Sequence, residues 1–353
     1  MDVNRLKKTE KTLDLSHRGV NVFQIISSLP VQSCVFTELD LTGNHLKCIS
    51  DDEISSLSNL ITLDLSSNQL KYLPCGLCKL TKLKTLLVRN NVLCELPKCM
   101  TSSESLEMLN VSGNGLEHFP AEVLQISQLK QLHLGGNYIQ NIPKKIALLT
   151  SLEYLYVGGN QLKTLPVELG KLTRLKVLNL CDNQIAALPK ELAKLHQLES
   201  LSLHNNHLTV LPIAIVKLKN LQAISIRDNP LVIRFVRSQS SSVPSLQELA
   251  GKTIKRNRIP YSRQNLPPFL VKYLESARKC VNPKCRGVFF DSCVRHIKFV
   301  DFCGKYRLPF EQFLCSAHEN EQWEDLASCS SSTSSDDDDA SVEPSWMKRI
   351  LLG

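Results

Sequence analysis

The stretch that decides the fold is Leu129-Lys130-Gln131-Leu132-His133-Leu134-Gly135-Gly136-Asn137-Tyr138-Ile139, which reads L-x-x-L-x-L-x-x-N-x-I. Aligning the chain on the asparagine of this pattern gives nine copies, spaced 24 residues once and 23 thereafter, at Asn44, Asn68, Asn91, Asn114, Asn137, Asn160, Asn183, Asn206 and Asn229. A fixed period of this length is typical of solenoids, in which each repeat stacks on its neighbours. The sequence therefore predicts a repeat array between about residues 30 and 235.

The segment x-L-x-L-x at the centre of each copy predicts a short strand whose leucines point inward and whose other residues point outward. Successive strands are expected to form one parallel sheet. The buried asparagine amide is expected to bond neighbouring turns, because backbone groups that leave the sheet need partners. Short helices are predicted on the return arm, where proline is tolerated, after Leu73-Pro74, Leu96-Pro97, Leu165-Pro166, Leu188-Pro189 and Leu211-Pro212.

These repeats resemble the leucine-rich-repeat superfamily over about two-thirds of the chain. The resemblance implies an α/β solenoid with the parallel sheet on its concave face and short helices or turns on its convex face. The 23-residue period is similar to that of intracellular repeat proteins of the Ras-scaffold type. A partial repeat, Leu13-Asp14-Leu15-Ser16, has Arg18 at the asparagine position, so residues 1–30 are predicted to cap the array.

The bulk properties favour an intracellular protein without a membrane span. The charged start, Met1 to Lys8, lacks the apolar stretch of a secretory signal, and no later run is long enough to cross a bilayer. We expect the cytoplasm, with the nucleus as the alternative. The thirteen cysteines are then expected to be thiols or metal ligands. Those in the repeats are predicted to be small apolar fillers, namely Cys34, Cys48, Cys75, Cys78, Cys94, Cys99 and Cys181.

The net charge of +8 raises the question of nucleic-acid binding. Lysine and arginine are spread through every repeat, and the run Asp336 to Asp339 is acidic, so the charge distribution argues against it. A weaker alternative is an RNA-associated protein that uses basic residues after the repeats. A solvated helix face accounts for these residues more simply, and they are Lys252, Lys255, Arg256, Arg258 and Arg263.

The outward strand positions form the predicted binding surface for a protein substrate. Exposed aromatic side chains on a rigid sheet are the usual anchors of a protein interface. The plainer interpretation is that tyrosine simply fills strand positions well. The candidate partner-binding residues lie on neighbouring strands at Met108, His133, Tyr154, Tyr156 and Asn179.

The repeats contain no constellation that predicts an enzyme. Cys181, Asp182 and His204 could be imagined as a nucleophile set. Single Cys and His residues in a repeat array, however, more often pack or lie at the surface. The sequence therefore predicts a non-catalytic protein.

A new unit is predicted after the polar stretch Ser238 to Ser242. Ser245 and Glu248 have the spacing of a capping box, in which each side chain bonds the other residue's backbone, so a helix is predicted to begin here. One interpretation is an amphipathic helix that only caps the open end of the repeat array. Its apolar face comprises Leu246, Leu249, Ala250, Thr253 and Ile254.

The same helix resembles the elongin-binding box of the SOCS-box and VHL-box substrate receptors of cullin-RING ubiquitin ligases. Its pattern is Ser245-Leu246-x-x-x-Ala250-x-x-x-Ile254, with Ala250 where the box has Cys. Twelve residues downstream, Leu266-Pro267-Pro268-Phe269-Leu270-Val271-Lys272-Tyr273-Leu274 resembles the cullin box. The resemblance implies elongin contacts at Leu246, Leu249, Ala250 and Ile254, and cullin contacts at Leu266, Pro267, Leu270 and Leu274.

The resemblance implies an adaptor that recruits elongin B and C, a cullin and a RING protein to a target held by the repeats. Leu266-Pro267-Pro268-Phe269 is similar to the LPxP form used with the fifth cullin, although Phe269 stands where the second proline belongs. The spacing of Leu266, Leu270 and Leu274 fits the form used with the second cullin equally well. The alternative function is a leucine-rich-repeat signalling scaffold of the Ras-associated type, which needs only the repeats.

Cysteines cluster again beyond the box, at Cys280, Cys285, Cys293, Cys303 and Cys315, with His318 close behind. Two close pairs separated by a loop suit a tetrahedral structural zinc site, because each pair supplies adjacent ligands. The predicted ligands are Cys280, Cys285, Cys315 and His318, while Cys293 or Cys303 could replace one of them. Plain buried thiols are the alternative, whereas a metal would contribute directly to the folding of so small a module.

The predicted organisation has five parts. They are a cap at residues 1–30, a solenoid at 31–237, an elongin and cullin box at 244–278, a Cys/His-rich module at 279–326 and an acidic serine-rich tail at 327–353. The tail cannot bury a core and is expected to be disordered.

Overall fold

The computed structural model of the chain describes residues 8–9, 11–19, 36–231, 244–280, 285, 287–302 and 306–316. The predicted tail at 327–353 and the residues Cys34, Cys303 and His318 lie outside these ranges. The described residues form two compact units. The solenoid unit contains those up to Leu208 together with Ala214–Pro230, and the carboxy-terminal unit contains Thr209–Ile213 together with those from Leu231 onward.

The solenoid unit is built on one 11-stranded sheet among the described residues. Its strands are β1 (Lys8–Thr9), β2 (Thr12–Asp14), β3 (Glu38–Asp40), β4 (Thr62–Asp64), β5 (Thr85–Leu87), β6 (Met108–Asn110), β7 (Gln131–His133), β8 (Tyr154–Tyr156), β9 (Val177–Asn179), β10 (Ser200–Ser202) and β12 (Ala223–Ser225). The strands follow one another in chain order, and all neighbours from β2 onward pair in parallel. The predicted solenoid with its parallel sheet is confirmed.

The turns that follow the strands are held by the repeated asparagines. The side-chain amide of Asn137 donates to the carbonyl oxygens of Leu134 in its own turn, at 2.9 Å, and of Val111 in the preceding repeat, at 3.1 Å. Its Oδ1 accepts from the backbone N–H of Leu116 at 3.1 Å. The same pattern recurs from repeat to repeat, so the asparagines form a ladder that satisfies buried backbone groups. The predicted structural role of Asn is confirmed.

The residue before each ladder asparagine has a left-handed backbone, with φ between 52° and 68°. Most side chains disfavour this conformation, whereas Gly, Asn and Asp tolerate it. The nine positions are Gly43, Ser67, Asn90, Gly113, Gly136, Gly159, Asp182, Asn205 and Asp228. Asp182, considered above as part of a nucleophile set, therefore has a structural reason to be where it is.

Return arms contain the predicted short helices, which are 3-10 helices of five residues. They span Cys75–Lys79, Lys98–Ser102, Ala121–Gln125, Lys144–Leu148, Val167–Lys171, Lys190–Lys194 and Ile213–Lys217. A proline with extended backbone stands directly before the first six. The arm after β3 differs, because α1 (Asp51–Ser55) is an α-helix whose capping box pairs Ser50 with Glu53.

The amino-terminal partial repeat joins the sheet through β2, and β1 pairs with β2 in antiparallel fashion. Arg18 cannot supply the missing asparagine amide. Its own backbone N–H and that of Gly19 instead donate to Oδ1 of Asn44, at 2.7 and 3.0 Å. The ladder thus ends on backbone donors at this edge.

The repeat cysteines differ from the prediction of small apolar fillers. Cys48, Cys75 and Cys94 are exposed, and Cys181 is half-buried. Cys78 and Cys99, on successive 3-10 helices, are joined by a disulfide, which the expectation of thiols also missed. The inward positions of these helices belong to residues such as Leu77 and Met100, so the cysteines lie beside the core instead of filling it.

The described part of the carboxy-terminal unit combines two helices with two small sheets. The helices are α2 (Leu246–Arg256) and α3 (Pro268–Glu275), and the strands are β11 (Leu211–Pro212), β13 (Arg278–Lys279), β14 (Val288–Phe289), β15 (Val294–Phe302) and β16 (Tyr306–Leu314). β15 and β16 form an antiparallel hairpin, and β16 also pairs in parallel with β11. β13 and β14 form a separate antiparallel pair. None of the helices in the described ranges has the length and apolarity needed to cross a membrane.

Candidate functional site

The candidate binding surface lies on neighbouring strands of the solenoid. Register pairs Gln131 with Tyr154 and His133 with Tyr156 across β7 and β8. It pairs Tyr156 with Asn179 across β8 and β9. The flanking residues of each strand are half-buried while the central leucine is buried, so Tyr154, Tyr156 and His133 share the outward face as predicted.

Two aromatic rings on this face are already stacked. The rings of His133 and Tyr156 lie 4.3 Å apart between centroids, at an interplanar angle of 15°. Burial lowers the pKa of His133, and the positive charge of Arg89 lowers it further. Burial also raises the pKa of Tyr156, with a smaller contribution from Tyr154. The pair is therefore neutral at physiological pH, and stacking restrains both rings before any partner binds.

His133 has one further feature that bears on recognition. Its Nε2 is buried and has no hydrogen-bond partner in the structure. A buried polar atom without a partner costs free energy, and such atoms in native proteins often mark a functional contact.

The remaining predicted surface residues are placed less clearly for binding. Met108 is half-buried at the start of β6. Asn179 ends β9, and its Oδ1 accepts from the backbone N–H of Cys181 at 3.1 Å. Asp40 and Asp64 make the equivalent local bond, each at 2.8 Å. Asn179 and these acidic residues thus serve their own turns in addition to facing outward.

A set of ion pairs that was not predicted from sequence joins charged side chains standing directly before the strands. Lys84, Glu107, Lys130, Glu153 and Lys176 follow one another at the repeat period and alternate in sign; we call them the charge ladder. Glu107 bonds Lys84 at 3.0 Å and Lys130 at 2.6 Å, and Glu153 bonds Lys176 at 2.7 Å. The signal was present in the sequence as a spacing of 23 residues between charges of opposite sign.

The predicted capping box at α2 is only half formed. Ser245 caps the helix, since its side chain accepts from the backbone N–H of Glu248 at 3.1 Å. Glu248 does not bond back. Its buried carboxylate accepts from the backbone N–H groups of Phe290, at 3.2 Å, and Ser292, at 3.0 Å, and pairs with Lys252 at 3.1 Å. Expecting a closed box was therefore wrong, because the carboxylate finds partners distant in sequence.

The pKa of Glu248 reflects these opposing effects. Burial raises it, but hydrogen bonds from Ser292, Lys252 and Phe290 outweigh burial and bring the net pKa below the ordinary value. The carboxylate is therefore charged at neutral pH. A charge that is fully buried and fully bonded fixes α2 to the Phe290–Ser292 segment.

The predicted elongin-contact residues lie mainly on the outward side of α2. Leu246 is 86% exposed and Leu249 is 48% exposed, and Ala250 is also exposed. Ile254 is half-buried. The opposite side of the helix buries Glu248 and Gly251. At Gly251 an added Cβ would lie 2.9 Å from the Phe290 ring and 3.5 Å from Leu274, so only glycine fits this approach.

The predicted cullin-contact residues are divided between surface and core. Pro267 is exposed and is the N-cap of α3, with Pro268 in the first turn, as helix starts favour. Leu266 and Leu270 are half-buried, whereas Leu274 is buried in the unit. Phe269, which the sequence reasoning did not select, is 67% exposed.

The structure brings together three of the four predicted metal ligands. The sulfur atoms of Cys280, Cys285 and Cys315 all lie within 4.8 Å of one another, and those of Cys285 and Cys315 are 3.5 Å apart. Cys293 is not part of this cluster. Burial, together with the neighbouring Cys285 and Cys280, raises the pKa of Cys315 to about 12.

Cys181, Asp182 and His204 also approach one another within 4.8 Å. Burial, together with the hydrogen bond and charge of Asp182, raises the pKa of Cys181 to about 12. A thiol held in its protonated form is a poor nucleophile. The electrostatics of this cluster therefore oppose the role of a catalytic cysteine.

Family comparisons agree with the repeats described above. The family model described as leucine rich repeat matches residues 36–93 and 97–166, and that described as leucine-rich repeat region matches residues 166–266. The chain belongs to the leucine-rich-repeat proteins.

Within this class the chain is similar to leucine-rich repeat-containing protein 58. It is 51% identical to the Xenopus laevis protein over 123 residues, 35% of this chain and 34% of that protein. It is 59% identical to the human protein over 86 residues, 24% of this chain and 23% of that protein. The matched segments thus span about a third or less of these relatives.

Solved structures support the solenoid. The Arabidopsis receptor kinase HAESA, solved with the peptide hormone IDA and the co-receptor SERK1, is 29% identical, with a TM-score of 0.53 over 62% of this chain and 38% of that chain. The functional domain of InlJ from Listeria monocytogenes is 26% identical, with a TM-score of 0.53 over 64% of this chain and 45% of that chain. Both likenesses concern the repeat architecture.

Proposed function

We propose that the chain is a substrate-recognition subunit of an elongin–cullin ubiquitin ligase. The solenoid holds a target protein on the strand face around Tyr154 and Tyr156, while α2 recruits elongin B and C. α3 and the proline segment before it select a cullin of the second or fifth type, which brings the RING protein. The chain itself acts as a non-catalytic adaptor.

The observation that carries the proposal is the inverted burial of α2. Helices normally bury their leucines and expose their glutamates. Here Glu248 is 1% exposed, whereas Leu246 is 86% exposed. An exposed apolar patch on a protein usually marks a site where a partner binds. A partner that covers Leu246 and Leu249 would remove this apolar surface from water. The box resemblance names elongin C as that partner.

The contact residues follow from their exposure. Leu246 is the proposed anchor, with Leu249 and Ala250 beside it on the exposed side. Pro267 and Phe269 offer the exposed surface for the cullin, with Leu266 and Leu270 partly accessible. Leu274 supports α3 from the core, since it is buried.

The recruitment arm is tested with purified full-length chain and elongin B–elongin C complex. Burying a leucine contributes about 1.5–3 kcal/mol, so Leu246→Ala should weaken binding roughly ten-fold or more. Gln247→Ala, at an exposed polar position on the same helix, is the matched control and should bind normally. Calorimetry measures both, and circular dichroism checks the fold. Wild-type affinity in Leu246→Ala would remove elongin from the proposal.

The target arm of the same experiment uses Tyr154→Ala combined with Tyr156→Ala. Truncated interface anchors often cost about 2 kcal/mol or more, so proteins that depend on this surface should be lost from affinity capture. Tyr138→Ala is the control, because Tyr138 is 55% exposed but lies outside the strands. Elongin recovery should stay unchanged in both variants.

The alternative, a signalling scaffold of the Ras-associated type, makes a different prediction. It requires the strand face but not α2. Loss of captured proteins in the tyrosine variant, together with no elongin binding by the wild-type chain, would favour it.

A further inference from the structure

We propose that Cys280, Cys285 and Cys315 bind a structural zinc ion, and that this ion holds the segment on which helix α2 rests. Cys280 directly follows β13, Cys285 lies three residues before β14, and Cys315 directly follows β16. Each supplies one sulfur, and the sulfurs lie within 4.8 Å of one another.

The sulfur spacing suits zinc. Thiolates bound at about 2.3 Å in a tetrahedron are separated by roughly 3.8 Å. The Cys285 and Cys315 sulfurs are 3.5 Å apart, so small side-chain rotations would bring the set to this spacing. Three thiolates leave one tetrahedral position, and the assignment of His318 to it stays a prediction from sequence. A thiolate-rich set selects zinc over magnesium or calcium, which prefer oxygen ligands.

The described residues around the cluster leave room for sulfur ligands. The backbone N–H of Gly287 donates to the Cys285 sulfur at 3.2 Å, as outer partners of metal ligands commonly do. An added Cβ at Gly287 would lie 2.6 Å from the Cys315 sulfur and 3.0 Å from the Cys285 sulfur, so only glycine fits. The Gly287 carbonyl accepts from the backbone N–H of Cys280 at 2.9 Å, which joins the backbone beside two of the three cysteines.

A short path connects this cluster to α2. Gly287 leads directly into β14, and β14 leads into Phe290 and Ser292. The backbone N–H groups of Phe290 and Ser292 hold the Glu248 carboxylate. The Phe290 ring also stacks on Tyr273 of α3, with centroids 4.5 Å apart. The metal would therefore hold the backbone, from Gly287 to Ser292, that supports both helices of the proposed box.

The metal is tested first on the full-length protein, purified with zinc supplied and no chelator. We expect about one zinc per chain by native mass spectrometry. Replacing a residue that only hydrogen-bonds a metal ligand typically lowers metal affinity about ten-fold or more. Cys285→Ser removes a ligand itself, so it should lower zinc affinity by at least roughly this factor. Cys293→Ser is the matched control, because Cys293 is a half-buried thiol of the same unit outside the cluster, and it should keep the metal. Zinc-free wild-type protein, or a Cys285–Cys315 disulfide in it, would overturn the proposal.

A reversible experiment covers the case in which Cys285→Ser fails to fold. Chelation of wild-type protein should remove hydrogen-exchange protection from residues 246–256 and 288–292 while the solenoid keeps its protection. Zinc should restore protection, and magnesium should not. Unchanged exchange in α2 after complete zinc removal would refute the coupling.

Elongin binding to the zinc-free protein is the last readout, and this readout alone rests on the proposed function. Zinc binding with coupled protection but no elongin affinity in the loaded protein would leave the metal site standing and refute the ligase role. Elongin affinity that is equal with and without zinc would refute the coupling and leave the ligase role standing.

Discussion

The two units use buried polar side chains in opposite ways. In the solenoid unit the same amide arrangement recurs at nearly every turn, so each asparagine satisfies only the backbone of its own and the preceding repeat. In the carboxy-terminal unit one carboxylate, that of Glu248, receives two backbone N–H groups more than 40 residues away and one lysine. Loss of one repeated asparagine therefore affects only neighbouring repeats, whereas loss of Glu248 removes several long-range contacts at once.

The largest expected effect on stability comes from replacing Glu248. Glu248→Ala removes the carboxylate that accepts from the backbone N–H groups of Phe290 and Ser292 and pairs with Lys252. Breaking a buried charged pair costs about 3–5 kcal/mol. We expect α2 to lose most of its hydrogen-exchange protection. Glu275→Ala, an exposed glutamate on α3, is the control and should change little. Equal protection in the two variants would show that α2 does not depend on Glu248.

A smaller loss of stability is expected from replacing an asparagine of the repeats, and its size should depend on how buried that asparagine is. Asn137 is 4% exposed, so Asn137→Ala leaves Leu116, Val111 and Leu134 groups buried without partners and should cost about 2–3 kcal/mol. Asn229 is half-buried, so water can replace its amide and Asn229→Ala should cost about half as much or less. Urea denaturation measures both. Equal losses would contradict the view that burial sets the cost.

The smallest expected effect is on pH dependence. The folded pKa of Glu248 lies below its ordinary value of 4.5, so its contribution to stability is complete above that pH and is lost as pH falls through the folded pKa. Acid should therefore release α2 before it opens the buried ladder, whose amides do not titrate. Glu248→Gln should flatten this dependence in hydrogen exchange across an acid titration. An identical acid response of wild type and Glu248→Gln would assign the sensitivity to another group.

The solenoid unit could be predicted from sequence more fully than the carboxy-terminal unit, because its features are repeated. Strand positions, ladder asparagines and the short helices after proline follow local rules repeated in nine copies, so an error in one copy is corrected by the others. The left-handed residue before each asparagine was equally readable as a column of Gly, Asn, Asp and Ser, but it was missed. The cysteines of the return arm were misjudged, because their positions lie beside the inward leucines.

In the carboxy-terminal unit each feature occurs once. Ser245 and Glu248 fit a capping box, and nothing local reveals that the carboxylate bonds residues 42 and 44 positions away instead. The hairpin of β15 and β16 was not predicted, and Pro309 within β16 is a signal that argues against a strand. Cys280, Cys285 and Cys315 were identified as a group because ligand chemistry restricts residue type, while their exact approach depends on long-range pairing.

Because the charge ladder alternates in sign, its ion pairs depend on whether an odd or an even number of repeats is removed. Asparagine is identical in every repeat, so that ladder accepts any number of them. The charge ladder alternates, and Glu107 bonds a lysine on either side. Removing the single repeat that carries Glu107 would set Lys84 beside Lys130, whereas removing two consecutive repeats would restore a lysine next to a glutamate. Along this part of the array the pair of repeats, not the single repeat, is therefore the smallest interchangeable block.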